Sequence, residues 1–306
     1  MKRFAYKFEN GEYKMTNVWE VCRGEKQDPH RWEDMKYFST HRKIENRKEM
    51  RLVRRKPNYY FKYKSLADVK AHEGHDTTLT HEVDQDIISE LKEITFVLKN
   101  RDNKIYKIYV SDWEVEQEIK TPNGNYFVDI LLKFDKSEPE SLVLQWNGNV
   151  AVEIHVTNEV KPTKVKDLLD LGIPILEHTV SKKFYIDESR EITEAEIIEK
   201  KQFLSRYYEK EIYVNLLADY YSKEYLAMME IQTLKEQVAS LEKQNALQSN
   251  ELQQYKAFIN NLKVENASLG RQLNEKDKEL SIVKGENAQL KKSLWYKLSK
   301  VLSYKK

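Results

Sequence analysis

The sequence predicts an α/β domain followed by a long coiled coil. Two observations carry the first half. Apolar, β-branched runs and helical runs follow one another between residues 65 and 186, and a strand, a helix and a strand in succession favour a parallel pair with a right-handed crossover. The second half rests on a heptad register that begins at Ile231 and continues to Leu294 without a skip.

Residues 1–64 read as short strands and turns. Phe4, Tyr6, Phe8 and Tyr13 flank Asn10-Gly11, a dipeptide favoured in two-residue hairpin loops. The segment Arg51–Tyr63 mixes basic and aromatic side chains, as single-strand-binding surfaces do and as charge-guarded edge strands also do. Residues 1–70 hold 19 Lys and Arg against 10 Asp and Glu, which suits a polyanion such as nucleic acid and equally a solvated basic face. His72, His75 and His81 come next in a polar stretch. Their spacing matches no zinc signature and no cysteine supports one, so solvated loop histidines are expected.

From Thr80 the pattern turns helical. Val83, Ile87, Leu91, Ile94 and Leu98 recur at steps of three and four, with Glu82 near the helix start, where acids suit the dipole. Three strands are expected next, at Ile105–Val110, Tyr126–Phe134 and Val150–Thr157, separated by Pro122-Asn-Gly-Asn125 and Asn147-Gly-Asn149. Val165, Leu168, Leu169 and Leu171 mark a short helix ended by Gly172, and Ile173–Glu177 begins another strand.

Two of these strands carry an acid where a core strand should have none. Asp129 lies between Val128 and Ile130, and Glu153 lies between Val152 and Ile154. A carboxylate buried among aliphatic side chains costs several kcal/mol unless it is paired or bound to a metal. A structural ion pair, a strand-end acid reaching solvent and a divalent-metal site all satisfy that requirement. The metal site is favoured because acid and flanking residues share one pattern on both strands.

The order helix, three strands, helix, strand, with Asp129 on the second strand and Glu153-Ile-His155 on the third, resembles the PD-(D/E)xK nuclease core. More narrowly, Val152-Glu-Ile-His-Val-Thr-Asn-Glu-Val160, then Lys164, then Leu171-Gly-Ile-Pro-Ile-Leu-Glu177, is similar to competence-protein CoiA-like nucleases. Pro57–Tyr63 resembles the aromatic segment before that group's first helix, although the histidines expected there are replaced. The resemblance covers residues 57–181 and excludes the coiled coil.

The resemblance implies a Mg²⁺- or Mn²⁺-dependent hydrolase of phosphodiester bonds, with DNA as the expected substrate. Asp129 and Glu153 would bind the metal, His155 and Lys164 would assist, and Glu90 of the first helix is a further candidate. The family places a Lys two residues after the strand acid, where this chain has His155; Lys164 would then supply the fixed positive charge. Thr157 would hold a ligand through its hydroxyl, or serve simply as a β-former. The departure at His155 keeps open a catalytically inactive nucleic-acid-binding or scaffold protein on the same fold.

After Ser181 the character changes. Thr193-Glu-Ala-Glu196 is a capping box, and helices are expected through Leu226. In the heptads, Asn245, Asn266 and Asn287 occupy a positions 21 residues apart among Ile, Val and Leu. Buried Asn at a favours a parallel two-stranded register, so a homodimer through residues 231–294 is expected, with a solitary long helix as the alternative. The basic amphipathic tail, 295–306, suits a membrane surface or a frayed helix end. The predicted organisation is a β-rich basic segment at 1–64, an α/β core at 65–186, a helical connector at 187–230, the coil and the tail.

Composition excludes several classes. The 306 residues are 33% charged, carry net charge +2 and contain one Cys, so internal disulfides and cysteine-rich zinc clusters are ruled out. No run of about 18 apolar residues exists. With no signal peptide evident, the expected setting is cytoplasmic.

Overall fold

The computed structural model describes residues 2–55, 58–65, 78–156 and 159–303. The sequence expectations for Pro57, His72, His75 and Thr157 fall outside the described residues, as does the last part of the tail. The chain divides into a compact unit, Met1–Met229, and a second unit, Glu230–Lys306.

The first unit begins with a five-stranded antiparallel sheet. Its strands are β1 (Phe4–Glu9), β2 (Glu12–Asn17), β3 (Lys36–Phe38), β4 (Glu49–Val53) and β5 (Tyr60–Tyr63), in the order β2-β1-β3-β4-β5. Asn10 and Gly11, at φ 52° and 84°, make the expected hairpin turn between β1 and β2. Helices α1 (Val18–Gln27) and α2 (Pro29–Glu33) interrupt the segment; Asn17 caps α1 by accepting from the Glu20 N–H. One sheet face buries Ala5, Tyr37, Met50, Phe61 and Tyr63 against Val18, Val21 and Trp32.

The rest of this unit departs from the predicted PD-(D/E)xK core. After α3 (Leu79–Glu90) come β6 (Glu93–Leu98), β7 (Lys104–Thr121), β8 (Gly124–Glu138), α4 (Ser141–Gln145), β9 (Asn149–His155), α5 (Pro162–Asp170), β10 (Ile175–Thr179), α6 (Glu194–Tyr208) and β11 (Ile212–Ala218). The six strands close into a barrel in the order β10-β11-β6-β7-β8-β9. Two strands hidden in helical patterns account for the difference. Ile94 and Leu98 continue the spacing of the α3 stripe, yet residues two and four apart also share one face of a strand. Both side chains are fully buried on β6. Likewise Ile212, Val214, Leu216 and Ala218 are buried at every second position of β11, within a stretch expected to be helical. β11 pairs with β6 in parallel and with β10 antiparallel, joining what would otherwise be two sheet edges.

Other expectations hold. β9 and β10 pair in parallel across α5. Thr193 and Glu196 form both halves of the capping box on α6. Asn147 and Gly148, at φ 51° and 63°, turn the chain into β9; a Cβ on Gly148 would lie 2.6 Å from the Phe134 carbonyl oxygen, so glycine is required there. The core is anchored by fully buried Trp146. Its ring meets Tyr106 edge-on at 5.2 Å, and its indole N–H donates to Asp219 at 2.8 Å.

The sheet and the barrel are tied by polar contacts. The Glu82 carboxylate on α3 accepts from the backbone N–H groups of Arg3 and Phe4 at 2.8 to 3.1 Å. Lys2 pairs with buried Glu116 of β7, which also accepts from the Tyr63 hydroxyl. Beyond β11, helix α7 (Lys223–Ser303) runs for 81 residues and supplies the second unit. Its a and d side chains are open, Ile231 at 54% and Leu252 at 59% exposure. Among the described residues, no helix is long and apolar enough to cross a membrane.

Candidate functional site

The two strand acids meet. β8 and β9 pair with Ile130 opposite Val152, and the next step of that register sets Asp129 opposite Glu153. Parallel pairing of β9 with β10 sets Glu177 beside Glu153 in turn. Three adjacent strands therefore present a carboxylate on one face. The intervening apolar residues Ile130, Val152 and Ile154 point the other way, into the main core.

Each acid is held differently. Asp129 Oδ2 accepts from the Ile154 backbone N–H at 2.7 Å and lies 3.1 Å from His81 Nε2. Burial alone would push this carboxyl up, but His81, Lys164 and the Ile154 N–H outweigh it and hold it below the usual carboxylate range. His81 responds in the opposite sense: burial would lower it, and Asp129 raises it overall. Glu153 is 5% exposed. Burial, with Asp129 adding to it, pushes its carboxyl up to about 7 despite the ammonium of Lys164.

Lys164 comes from the first turn of α5. Pro162 starts that helix, where its missing N–H costs nothing. The Lys164 Nζ donates to Glu153 Oε2 at 2.6 Å and to the Phe127 carbonyl at 2.6 Å. The other oxygen, Glu153 Oε1, is buried and accepts no hydrogen bond; His81 Nδ1 is likewise buried without a partner. His155, two residues along β9 on the same face, is half-buried with Nδ1 3.7 Å from Glu177 Oε1.

Of the five residues singled out from sequence, four converge here: Asp129, Glu153, His155 and Lys164. Glu90 does not. It is exposed in the last turn of α3, nine residues and about 13 Å along the helix from His81. His81 is the residue sequence reasoning missed. Instead of lying in a solvated loop, it is drawn into the first turn of α3 by the Thr78 cap and faces Asp129. Thr78, an N-cap residue type two positions before the expected helix start at Thr80, is the signal that could have revealed it. Glu177 enters the sequence reading only as the closing strand's acid.

No protein-family model, curated protein or solved structure matches this chain. The chemistry of the site is therefore the guide to function.

The donor set suits one kind of ion. Among the described residues, no group of three or more His, Cys, Asp or Glu side chains is arranged to hold a metal. Two hard carboxylates remain, one with an orphaned buried oxygen. Mg²⁺ is commonly bound through one or two carboxylates, with water and substrate phosphate completing the shell. The hard carboxylate oxygens of Asp129 and Glu153 suit such an ion.

A second buried group includes Asp84, one turn beyond His81 on α3. The Tyr208 hydroxyl stands 2.8 Å from Asp84 Oδ1 and 3.1 Å from His178 Nε2, while His178 Nδ1 donates to the Tyr213 carbonyl at 3.0 Å. Burial lowers His178 to about 4 and raises Asp84 to about 7. The phenol has one proton and two acceptors to serve. The hydroxyl donates to Asp84 Oδ1, which leaves His178 Nε2 as the second acceptor within reach. Against the effect of burial, His81, the partner of Asp129, also acts on Asp84 and lowers its carboxyl.

Proposed function

We propose that the protein is a divalent-metal-dependent nuclease that hydrolyses phosphodiester bonds of DNA. We infer that it works as a dimer joined by a parallel coiled coil over residues 231–294. The observation that carries the catalytic reading is Glu153 Oε1, a buried acceptor with no partner, across from a second carboxylate. Such an atom costs about 1–3 kcal/mol uncompensated, and a cation between Asp129 and Glu153 would relieve both that cost and their repulsion.

Asp129 and Glu153 would hold Mg²⁺ or Mn²⁺. When bound, the ion polarises the scissile phosphate and lowers the pKa of an attacking water. The remaining work falls to this chain's own residues. Lys164 offers a fixed positive charge to a phosphate oxygen, and its two hydrogen bonds keep it in place. His155 stands on the same face, where its imidazole nitrogen can accept a proton from water. His81 orients Asp129. The resemblance of Val152–Val160 to CoiA-like nucleases supports the same chemistry.

A second reading has its own observation. The Lys164 ammonium, 2.6 Å from Glu153 Oε2, is itself a counter-ion for the site. On that reading the protein binds nucleic acid or acts as a scaffold without chemistry.

The test is cleavage of plasmid, linear and single-stranded DNA with Mg²⁺ or Mn²⁺, beside Asp129→Ala and Glu153→Ala. Cutting lost in both variants supports the nuclease. No cutting by the parent protein with either metal overturns it in favour of the binding protein.

A further inference from the structure

The face of the five-stranded sheet opposite its core is aromatic and basic. Alternation along β1 sends Ala5 inward and Tyr6 and Phe8 outward, and the registers with β2 and β3 place Tyr13, Met15 and Phe38 beside them. The rings form one cluster. Tyr13 lies 4.8 Å from Phe8 and 5.2 Å from Phe38, and Tyr6 meets Tyr13 edge-on at 6.5 Å. Phe8 is 39% exposed, and Tyr6, Tyr13 and Phe38 are half-buried.

A cation is laid onto this cluster. The Arg47 guanidinium sits 3.6 Å from the Tyr6 ring centre and 4.5 Å from that of Tyr13. Its Nε donates to the His41 carbonyl at 2.9 Å and its Nη2 to the Arg42 carbonyl at 3.2 Å, which hold the group over the rings. Further along the same face, Lys36, Arg51 and Lys62 are exposed. The face's acid, Glu49, is already paired with Lys64 at 2.8 Å.

Stacking faces and excess positive charge occur together. A protein partner would use the rings without needing the cations, and duplex DNA would use the cations but hides its base faces. Unpaired bases on a phosphate backbone use both. We propose that this face is a binding platform for single-stranded nucleic acid, with bases stacking on Phe8, Tyr13, Phe38 and the Arg47 plane, and phosphates meeting Lys36, Arg51 and Lys62. It names the substrate class for the carboxylate site and so rests on the nuclease reading. Platform and carboxylate face are linked through adjacent residues of α3: His81 faces Asp129, while Glu82 holds the start of β1.

The experiment is fluorescence anisotropy of the full chain with a labelled oligothymidylate of about 15 nucleotides and with a duplex of equal length, in EDTA so that no cleavage occurs. Single strand should bind more tightly than duplex. Tyr13→Leu with Phe38→Leu should weaken it about tenfold. Arg51→Glu with Lys62→Glu, both on exposed side chains and so tolerated by the fold, should weaken it and lower the salt slope by about two. Glu153→Gln should bind as the parent does, which separates this platform from the metal chemistry. Unchanged binding in the charge variant, or duplex bound as tightly as single strand, overturns the proposal. With these effects intact, absence of cleavage by the parent protein in the separate Mg²⁺ or Mn²⁺ assay would overturn only the nuclease.

Discussion

Lys164 reaches from the first turn of α5 to set its ammonium 2.6 Å from Oε2 of Glu153, while Oε1 of the same carboxylate stays buried and unpartnered. One oxygen is compensated and the other is not. That asymmetry makes the pair informative when either partner is changed.

Removing Lys164 should expose the cost directly. Lys164→Met leaves Glu153 buried beside Asp129 without its counter-charge, and urea unfolding at pH 8 should show a loss of about 3 kcal/mol. The loss should shrink by pH 5, where Glu153, already raised to about 7, is protonated. An equal loss at both pH values would show that Lys164 acts through packing instead.

Metal binding should be visible without any turnover. Mg²⁺ or Mn²⁺ at about 100 times its Kd should stabilise the parent by about 2.7 kcal/mol. Glu153→Gln should abolish that gain. A gain retained in the variant would place the ion elsewhere.

The Asp84 cluster predicts an inverted pH dependence. Its folded pKa, about 7, lies above the ordinary carboxyl value of 3.8, so the native state holds the proton more tightly than the unfolded chain. This group therefore contributes stability that is full below about pH 4 and is lost as pH rises through about 7. Asp84→Asn mimics the protonated acid and should gain on the parent over that window, by on the order of 2 kcal/mol at pH 8. His178, lowered to about 4, works the other way, so the variant-minus-parent difference is the quantity to measure. A flat difference would rule out a protonated Asp84.

The coiled coil is tested by mass and by one asparagine. Sedimentation of the full chain should give twice 36.6 kDa, and deletion of residues 231–294 should give a monomer. Asn266→Leu should raise the melting temperature of the coil and admit higher oligomers, because a buried Asn pair costs stability while selecting two strands. A monomeric full chain would sink the dimer.

Local signals were legible wherever one residue's own preference decides the backbone. Asn10-Gly11 and Asn147-Gly148 take positive φ because few other pairs can, and Thr193 caps α6 through a side chain three residues from its partner. The acids at 129 and 153 stood out because a charge between β-branched residues contradicts its surroundings. β6 and β11 were not legible. Ile94 and Leu98 satisfy a helical and a strand spacing equally, and only pairing partners far along the chain break the tie. Strand β7 extends to Thr121 for the same reason: its acidic alternation, Glu114 to Glu118, is stabilised by the partner strand β8 rather than by its own composition.

By itself, the sequence determined the glycine turns, the Thr193 capping box, the heptad seam over 231–294 and which two acids would be anomalous. These arise from interactions within a few residues, or from a period repeated many times. Tertiary structure alone decided that β11 closes a barrel, that His81 faces Asp129 and that Lys164 covers one oxygen of Glu153. Those contacts join residues 11 to more than 100 positions apart. Burial, which raises one carboxyl while its neighbour is held low, exists only once the strands have met.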